Sequence, residues 1–317
     1  MFWIGLLTAL GLVFAAPYLV GNEFYLRTGY TVLQFVVLAT AWNLLGGYAG
    51  YVNFGAAAFF AVGAYTTVFL YKLFPLFQVP VWMLFLMVPA AGLVAGLLGL
   101  ITGLLTLRLR GVYFSIATLA LAVVMHTVVT NWRFIGGATG VSILPPREVP
   151  LAFMFHSYVE FLFVMMGCIT VAALLLARYV ERPWIGRGLA AIRDDEDAAE
   201  CMGVPTLRLK LFAATLSGCL FGVAGAPLPY QVGYIEPMSA FSLVYAVNAL
   251  AMPMIGGTAT WLGPLLGALL LGSAQEAARV TISSELNLLI TGALLIVFVV
   301  VAPQGLIGLL RRLRGTP

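Results

Sequence analysis

The stretch TGYTVLQFVVLATAWNLLGGYAGYVNFGAAAFFAVGAYTTVFLY, residues Thr28–Tyr71, contains no charged side chain. An apolar run of 18 or more residues is long enough to cross a bilayer as a helix, and a second uncharged run follows at Leu73–Leu107. Of the 317 residues, 62% are hydrophobic and 9% are charged, against about 25% charged in ordinary soluble domains. The sequence therefore predicts an all-α polytopic membrane protein, surrounded by membrane lipid.

About ten transmembrane helices are expected from the length of the apolar runs. The predicted spans are 2–20, 28–47, 50–71, 80–107, 111–130, 158–177, 211–231, 240–257, 261–278 and 286–303. The third span is rich in Gly and Ala and contains Asn53, so residues 50–71 could form a broken or re-entrant helix instead of a full crossing. No soluble domain is predicted, and residues 1–317 are expected to form a single membrane domain.

Basic residues set the expected orientation, because short loops rich in Arg and Lys stay on the cytoplasmic side. Placing Arg108, Arg110, residues 178–210 and the tail 311–317 inside collects most of the 16 basic residues there. Residues 131–157 then form the longest external loop, and residues 178–210 form the large cytoplasmic loop. The basic residues that set the orientation also account for the net charge of +4, so no nucleic-acid partner is expected.

Chemistry that could supply energy is missing from the sequence. A nucleotide-binding P-loop needs Gly-Lys-Ser/Thr, but Lys72 and Lys210 are both followed by Leu. Ion-coupled carriers keep ionisable groups inside the membrane, and His126, for which a packing role is favoured, is the one such residue well within a span. No metal ligand set or catalytic motif is found. The chain is predicted to be a non-enzymatic pathway that depends on a partner for energy.

The stretch AIRDDEDAAECMGV, residues 191–204, gathers five of the chain's 12 acidic residues. Residues 188–202 have the composition of a helix, and Gly203 followed by Pro205 is a typical helix stop. One short helix is therefore expected at the cytoplasmic surface. From the residues alone, both a solvated charged face and a docking element for a partner remain open.

Several blocks resemble permeases of the branched-chain amino acid ABC importer family, of the LivM type. They are AGYVNFGAAAFFAVGAYT (49–66), LRLRGVYFSIATLAL (107–121), GGATGVS (136–142), GRGLAAIRDDE (186–196) and MPMIGGTATWLGPLLGA (252–268). The segment DAAECMG (197–203) is similar to the EAA loop of ABC-importer membrane subunits, with Asp197 in place of the leading Glu. The resemblance implies a permease of a bacterial or archaeal cytoplasmic membrane that pairs with a second homologous permease.

The same resemblance implies further partners. Two ATP-binding subunits would hold ATP and Mg, so that this chain binds no cofactor itself, and a periplasmic or extracellular binding protein would deliver the substrate. The acidic loop, residues 188–205, would then transmit energy from the ATPase subunits as a coupling helix seated in one of them. Its expected functional residues are Arg193, Asp194, Asp195, Glu196, Asp197 and Gly203.

The substrate implied by the resemblance is a branched-chain or other neutral amino acid. The candidate lining of its pathway is Asn53, Phe54, Gly55, Tyr51 and Asn248. The family often has Gln and His where this chain has Tyr51 and Ala56, which puts a polar substrate contact there in doubt. Helix packing is the alternative role for Asn53 and Asn248. A stand-alone secondary carrier or channel for a small amphipathic solute is the alternative function.

Overall fold

The computed structural model describes residues 2–19, 21–73, 81–144, 155, 157–281, 292, 293, 296 and 305–308. The long helices are α1 (Phe2–Leu19), α2 (Glu23–Ala49), α3 (Ala56–Leu73), α4 (Val81–Thr106), α5 (Val112–Asn131), α6 (Tyr158–Val180), α7 (Pro183–Asp194), α9 (Thr206–Gly225), α12 (Leu243–Gly256) and α13 (Leu262–Thr281). The short helices are α8 (Glu196–Cys201), α10 (Leu228–Val232) and α11 (Pro237–Ala240). Two short strands, β1 (Val141–Ser142) and β2 (Tyr234–Ile235), pair antiparallel.

Seven helical segments within the described residues are long and apolar enough to cross a membrane. They are Glu23–Ala49, Ala56–Leu73, Phe85–Thr106, Val112–Asn131, Tyr158–Val180, Thr206–Val232 and Pro237–Gly256. The expected spans 2–20 and 261–278 coincide with α1 and α13, which are not among the seven. The expected span 286–303 lies almost wholly outside the described residues. The polytopic helical architecture is therefore confirmed, whereas the count of ten is not.

The helical structure is interrupted at residues 50–55, within the segment for which a broken or re-entrant helix was one expectation. Helix α2 ends at Ala49 and is capped by Gly50, which has a φ of 76° and donates its backbone N–H to the carbonyl of Leu45. This left-handed conformation is the usual glycine stop of a helix, because a Cβ atom would be strained there. Helix α3 begins at Ala56 and is itself long enough to span.

The prediction of one helix over residues 188–202 is wrong, because two helices meet there at a sharp turn. Asp195 separates α7 from α8 with extended backbone (φ −160°, ψ 113°), and its carboxylate accepts a 3.0 Å hydrogen bond from the N–H of Ala198. An Asp that caps a helix in this way is strongly favoured. In the sequence, the capping Asp cannot be told from its acidic neighbours. The predicted stop is confirmed, since Gly203 has a φ of 81°.

The loops fall into two groups at opposite ends of the bundle. At one end Arg110 pairs with Asp197, and the N–H of Trp261 donates to Glu181. At the other end β1 pairs with β2, and Gly233, just before β2, borders the same cavity as Tyr158 at the start of α6. The orientation drawn from the basic residues makes the first end cytoplasmic.

Small residues bring the central helices together. Helix α2 is buried among α6, α9, α12 and α13, and α4 packs along α9. A Cβ atom built on Gly218 of α9 would lie 2.8 Å from the carbonyl oxygen of Ala95 and 3.3 Å from the Cα of Gly99. Close contact through Gly and Ala is typical of helix pairs in membranes, where association depends on packing.

We expect Gly218→Ala to lower the free energy of unfolding by about 1–3 kcal/mol, the usual cost of overpacking. The added methyl group would meet backbone atoms of α4, which cannot rotate away. The matched control is Gly11→Ala, because a Cβ atom there has no neighbour within 4 Å. Thermal unfolding in detergent should show a lower Tm for Gly218→Ala alone, and equal Tm values for the two variants would contradict the packing described.

Candidate functional site

A buried cation lies where α9 meets the acidic loop. Lys210, in the first turns of α9, is only 3% exposed. Its ammonium group donates to Glu196 Oε1 at 2.5 Å, to the Tyr51 hydroxyl at 3.1 Å and to the Leu107 carbonyl at 3.2 Å. A lysine has three donors, so this group is fully satisfied. One side chain thereby joins α9, α8, the α4–α5 turn and the break after α2.

Glu196 is the ionic partner of this lysine, with a side chain that is 12% exposed. Burial is the largest single effect on its carboxyl and opposes ionisation. Hydrogen bonds from Lys210 and Tyr51, together with the positive charges of Lys210 and Arg110, outweigh that effect and hold the pKa of Glu196 below its usual range. The carboxylate is therefore ionised at neutral pH, and it also accepts a hydrogen bond from the Tyr51 hydroxyl.

A second ion pair lies on the rim of this cluster. Arg110 donates to Asp197 at 2.6 Å, and its Nε is 3.8 Å from Glu196. The side chains of Arg110 and Asp197 are 51% and 74% exposed. Pairs this exposed to water contribute little to stability because solvent and salt screen them. The inner pair, not this one, determines where α8 sits.

Arg193 fixes the other end of the acidic loop against α2. A Cβ atom on Gly50 would lie 2.9 Å from Cγ of Arg193, so only glycine leaves room for this contact. The guanidinium also donates to the carbonyl of Gly47 at 3.4 Å, and it contacts Asp194 at 3.4 Å. Asp194 itself stays 73% exposed on the outer surface of the loop.

The irregular segment 50–55 is held by hydrogen bonds from two helices. Trp42 of α2 donates its indole N–H to the carbonyl of Asn53 at 3.0 Å. The side-chain oxygen of Asn53 accepts the N–H of Gly55 at 2.7 Å and so forms the turn that leads into α3. Asn53 is buried, with 6% exposure, and part of its hydrogen-bonding capacity thus serves this turn.

Helix α5 closes the segment from the other side. Ser115 donates to the carbonyl of Val52 at 2.9 Å, and the N–H of Phe54 donates to Thr118 Oγ1 at 3.2 Å. A Cβ atom on Gly55 would lie 2.8 Å from the Thr118 carbonyl oxygen, so the backbone approaches α5 as closely as glycine permits. Four of the five predicted pathway residues therefore lie in one segment braced by α2 and α5.

The predicted residues do not divide into two separate sites. Tyr51, predicted for the pathway, and Glu196, predicted for coupling, belong to one hydrogen-bonded cluster. Asn248 lies outside it and accepts a 2.9 Å hydrogen bond from Gln275 of α13. A bond between helices of this kind is what the alternative role of Asn248, helix packing, predicts.

The role of Lys210 was missed by the sequence analysis. It was expected only to set orientation, because a lysine at the start of a span usually reaches toward water.

A surface suited to a protein partner lies on the outer side of the same loop. Trp184 is 71% exposed and Met202 is 85% exposed. Together with Gly203 and Arg187 they border a hollow of about 280 Å³. Large apolar side chains rimmed by charge are typical of interaction sites. Within the described ranges, no group of three His, Cys, Asp or Glu side chains is placed to hold a metal ion.

Comparison with known proteins agrees with the resemblance drawn from the sequence blocks. The family model for the permease component of branched-chain amino acid transport systems matches residues 24–299. The high-affinity branched-chain amino acid transport system permease protein LivM of Escherichia coli (strain K12) is 29% identical over 299 residues, which cover 87% of this chain and 68% of LivM. LivH of the same strain is 28% identical over 138 residues, 44% of each chain.

A permease for a different solute is also similar. The L-arabinose ABC transporter permease protein AraH of Azospirillum brasilense is 26% identical over 216 residues, 66% of this chain and 62% of AraH. No solved structure is a significant match. The matches confirm the family resemblance drawn from the sequence blocks.

We expect Lys210→Met to destabilise the protein by about 3–5 kcal/mol, because it leaves the Glu196 carboxylate buried without its partner. The double variant Lys210→Met/Glu196→Gln should recover much of that loss, since no unpaired charge remains. Arg110→Ala is the matched control, which removes an exposed pair and should have little effect. Unfolding measured in detergent as a double-mutant cycle checks this, and equal stability of Lys210→Met and Arg110→Ala would contradict it.

Proposed function

Because the chain belongs to the branched-chain amino acid ABC transporter permease family, we propose that it is the membrane-spanning subunit of an ATP-driven importer. It resides in the cytoplasmic membrane of a bacterium or archaeon. With a second, homologous permease it forms the pathway for branched-chain or other neutral amino acids. A binding protein outside the membrane delivers the substrate. Two ATP-binding subunits inside carry ATP and Mg and supply the energy.

The relatives bear on two parts of this assignment, the pairing of permeases and the substrate. LivM and LivH come from one strain, both are named as permeases of branched-chain amino acid transport, and both are similar to this chain. That pattern favours a pair of related permeases over a single-chain carrier. The similarity to an arabinose permease indicates that the family has more than one substrate. The amino acid substrate therefore rests on LivM, the relative matched over most of this chain.

The observation that carries the coupling proposal is the buried Lys210–Glu196 pair. An ATPase subunit that binds α7 and α8 at Trp184 and Met202 would move Glu196 together with these helices. The ionic contact between Glu196 and Lys210 would pull the start of α9 in the same direction, because breaking it would leave buried charges unpaired. Asp194 and Asp197 would meet the partner from the rim as charge-assisted hydrogen-bonding groups.

The pathway proposal follows from Tyr51, the member of the same cluster that precedes α3. Tyr51 shares hydrogen bonds with Lys210 and Glu196, and it begins the segment that contains Asn53, Phe54 and Gly55. We propose that this segment forms the cytoplasmic mouth of the pathway and shifts when α8 moves. Irregular backbone near a membrane is tolerated where it borders protein or a water-filled cavity. Asn248, buried between α12 and α13, is the remaining proposed pathway residue.

We expect Gly203→Glu to leave the chain inserted but to reduce ATP-driven uptake of L-leucine at least tenfold. A Cβ atom at position 203 would have no atom within 4 Å, so the substitution causes no steric clash. Its cost is backbone strain at a φ of 81°, and relief of that strain would turn α8 away from its partner. Gly203→Asn is the control, because Asn tolerates this conformation and should keep most of the uptake.

The measurement uses the tagged chain in its native membrane. Uptake is compared at equal membrane levels, and proteins that co-purify in mild detergent are identified by mass spectrometry. A second permease and ATP-binding subunits should accompany the wild type. Normal uptake by Gly203→Glu would reject the coupling loop. A chain that purifies alone would reject the importer and favour a stand-alone carrier.

We expect Asn53→Ser to lower L-leucine uptake while the Tm stays close to that of the wild type. Serine keeps an oxygen that can accept the Gly55 N–H, but it removes the amide that we assign to the pathway. Asn53→Leu loses both groups and should lower uptake and Tm together. If Asn53→Ser transports normally, Asn53 serves only to form the turn.

A further inference from the structure

The turn between α12 and α13, residues 257–261, lies beside the end of α2. Asn43 of α2 donates a side-chain N–H to the carbonyl of Thr258 at 3.2 Å. A Cβ atom on Gly47 would lie 3.0 Å from the same carbonyl oxygen, so α2 and the turn are in close contact. The carbonyl of Gly47 also accepts the hydrogen bond from Arg193. The turn therefore lies at the end of the bundle that carries the acidic loop, next to one of the points where that loop is attached.

Helices α12 and α13, which the turn joins, are packed backbone against backbone. A Cβ atom on Gly256 would lie 1.8 Å from the carbonyl oxygen of Gly263. A Cβ atom on Gly267 would lie equally close, 1.8 Å, to the carbonyl oxygen of Met252. Approaches this close require glycine and give a helix pair extensive van der Waals contact. A force on the turn would therefore act on both helices.

Glu181 connects this turn to the beginning of the loop 178–210. It follows the last residue of α6, and its carboxylate accepts a hydrogen bond from the backbone N–H of Trp261, with 3.4 Å between N and Oε2. Trp261 directly precedes α13, so the carboxylate lies at the positive end of that helix dipole, where a negative charge is stabilising. The Glu181 side chain is 25% exposed, and the guanidinium of Arg178 lies 3.7 Å from the same oxygen. The contact is thus partly shielded from water.

The loop 178–210 is thereby attached to the bundle by a carboxylate on either side of α7. After α7, Glu196 binds Lys210 at the start of α9. Before α7, Glu181 binds the N–H group that precedes α13. Between these two attachments lie α7 and α8, whose outer surface the proposed function assigns to an ATP-binding subunit. A displacement of that surface would reach α9 through one carboxylate and α13 through the other.

We propose that Glu181 is a positioning residue that transmits movement of the loop 178–210 to α12 and α13. This inference rests on the proposed function, in which ATP-binding subunits move the loop, and it adds a second route to the one through Lys210. The two routes act on different helices, since the pair α12 and α13 packs against α2 on its own. Loss of Glu181 leaves the ATP-binding subunits able to hydrolyse ATP, but α12 and α13 no longer follow the loop.

The first test removes the acceptor and measures how well ATP hydrolysis is coupled to import. In the complete complex, reconstituted in liposomes with its binding protein, Glu181→Ala should lower L-leucine uptake at least tenfold. ATP hydrolysis should stay within twofold of the wild type, so that the ATP hydrolysed per leucine rises at least fivefold. The Tm should stay close to that of the wild type. A purely structural role would instead lower uptake, ATP hydrolysis and Tm together.

Two conservative variants and a control identify the group responsible. Glu181→Gln keeps an oxygen at the same reach and should keep most of the uptake. Glu181→Asp keeps the charge on a side chain one methylene shorter, and it should be uncoupled like Glu181→Ala. Arg178→Ala is the matched control, because it removes the exposed cation beside Glu181 and leaves the acceptor of the Trp261 N–H in place. Its uptake should be close to that of the wild type.

The second test reads the contact without transport. Arg182→Cys and Ala259→Cys place spin labels at exposed positions on either side of the contact, in a chain without its native cysteines. With Glu181 present, the distance between the labels should have one narrow distribution that a non-hydrolysable ATP analogue does not change. With Glu181→Ala added, the distribution should broaden and shift when the analogue binds.

The outcomes separate this residue from the proposed function. Normal uptake by Glu181→Ala overturns its role and leaves the importer intact. Label distances that are the same with and without Glu181 also overturn its role, whatever the uptake. A wild-type complex that imports no L-leucine rejects the proposed importer. In that case the label distances alone decide whether Glu181 holds the turn against the loop.

Discussion

The arrangement of the end of the bundle that carries the acidic loop depends on one contact, the ion pair between Lys210 and Glu196. A cation withdrawn from water needs a nearby counter-charge and a partner for each donor, and here both come from separate parts of the chain. Glu196 supplies the counter-charge, while the Tyr51 hydroxyl and the Leu107 carbonyl accept the two remaining hydrogen bonds of the Lys210 ammonium group. Because these groups come from four different parts of the chain, none of them can shift alone without leaving a buried charge incompletely paired.

Local features of this region could be predicted from the sequence, whereas its long-range contacts could not. The apolar runs gave helix positions within a few residues, and Gly203 marked a stop, since glycine has a conformational preference of its own. Asp195 as a cap and Glu196 as an inward-facing residue were not predicted, because five neighbouring acids look alike until a partner distinguishes them. The Lys210–Glu196 contact further depends on how α9 and α8 fold back, which no local spacing encodes.

Buried polar groups in the bundle differ in whether the chain satisfies them. Lys210 and Glu196 find partners within the chain itself. The hydroxyls of Tyr48 and Thr260, at the same end of the bundle, have none among the described residues, and neither do those of Tyr30 and Tyr158 at the opposite end. Groups that satisfy one another hold a structure in one arrangement. Under the proposed function, the end that holds Lys210 and Glu196 would transmit movement from the ATP-binding subunits.

One apolar segment connects the two ends of the bundle, since Thr206–Val232 has Lys210 near its start and Gln231 near its end. A helix of 20 residues such as α9 is about 30 Å long, and its close contact at Gly218 holds it against α4. Helix α9 itself ends at Gly225, and α10 continues the segment from Leu228. A shift of α9 along α4 would strain the Lys210–Glu196 contact near its start. Under the proposed function, movement of the acidic loop would therefore be passed toward the opposite end of the bundle through α9.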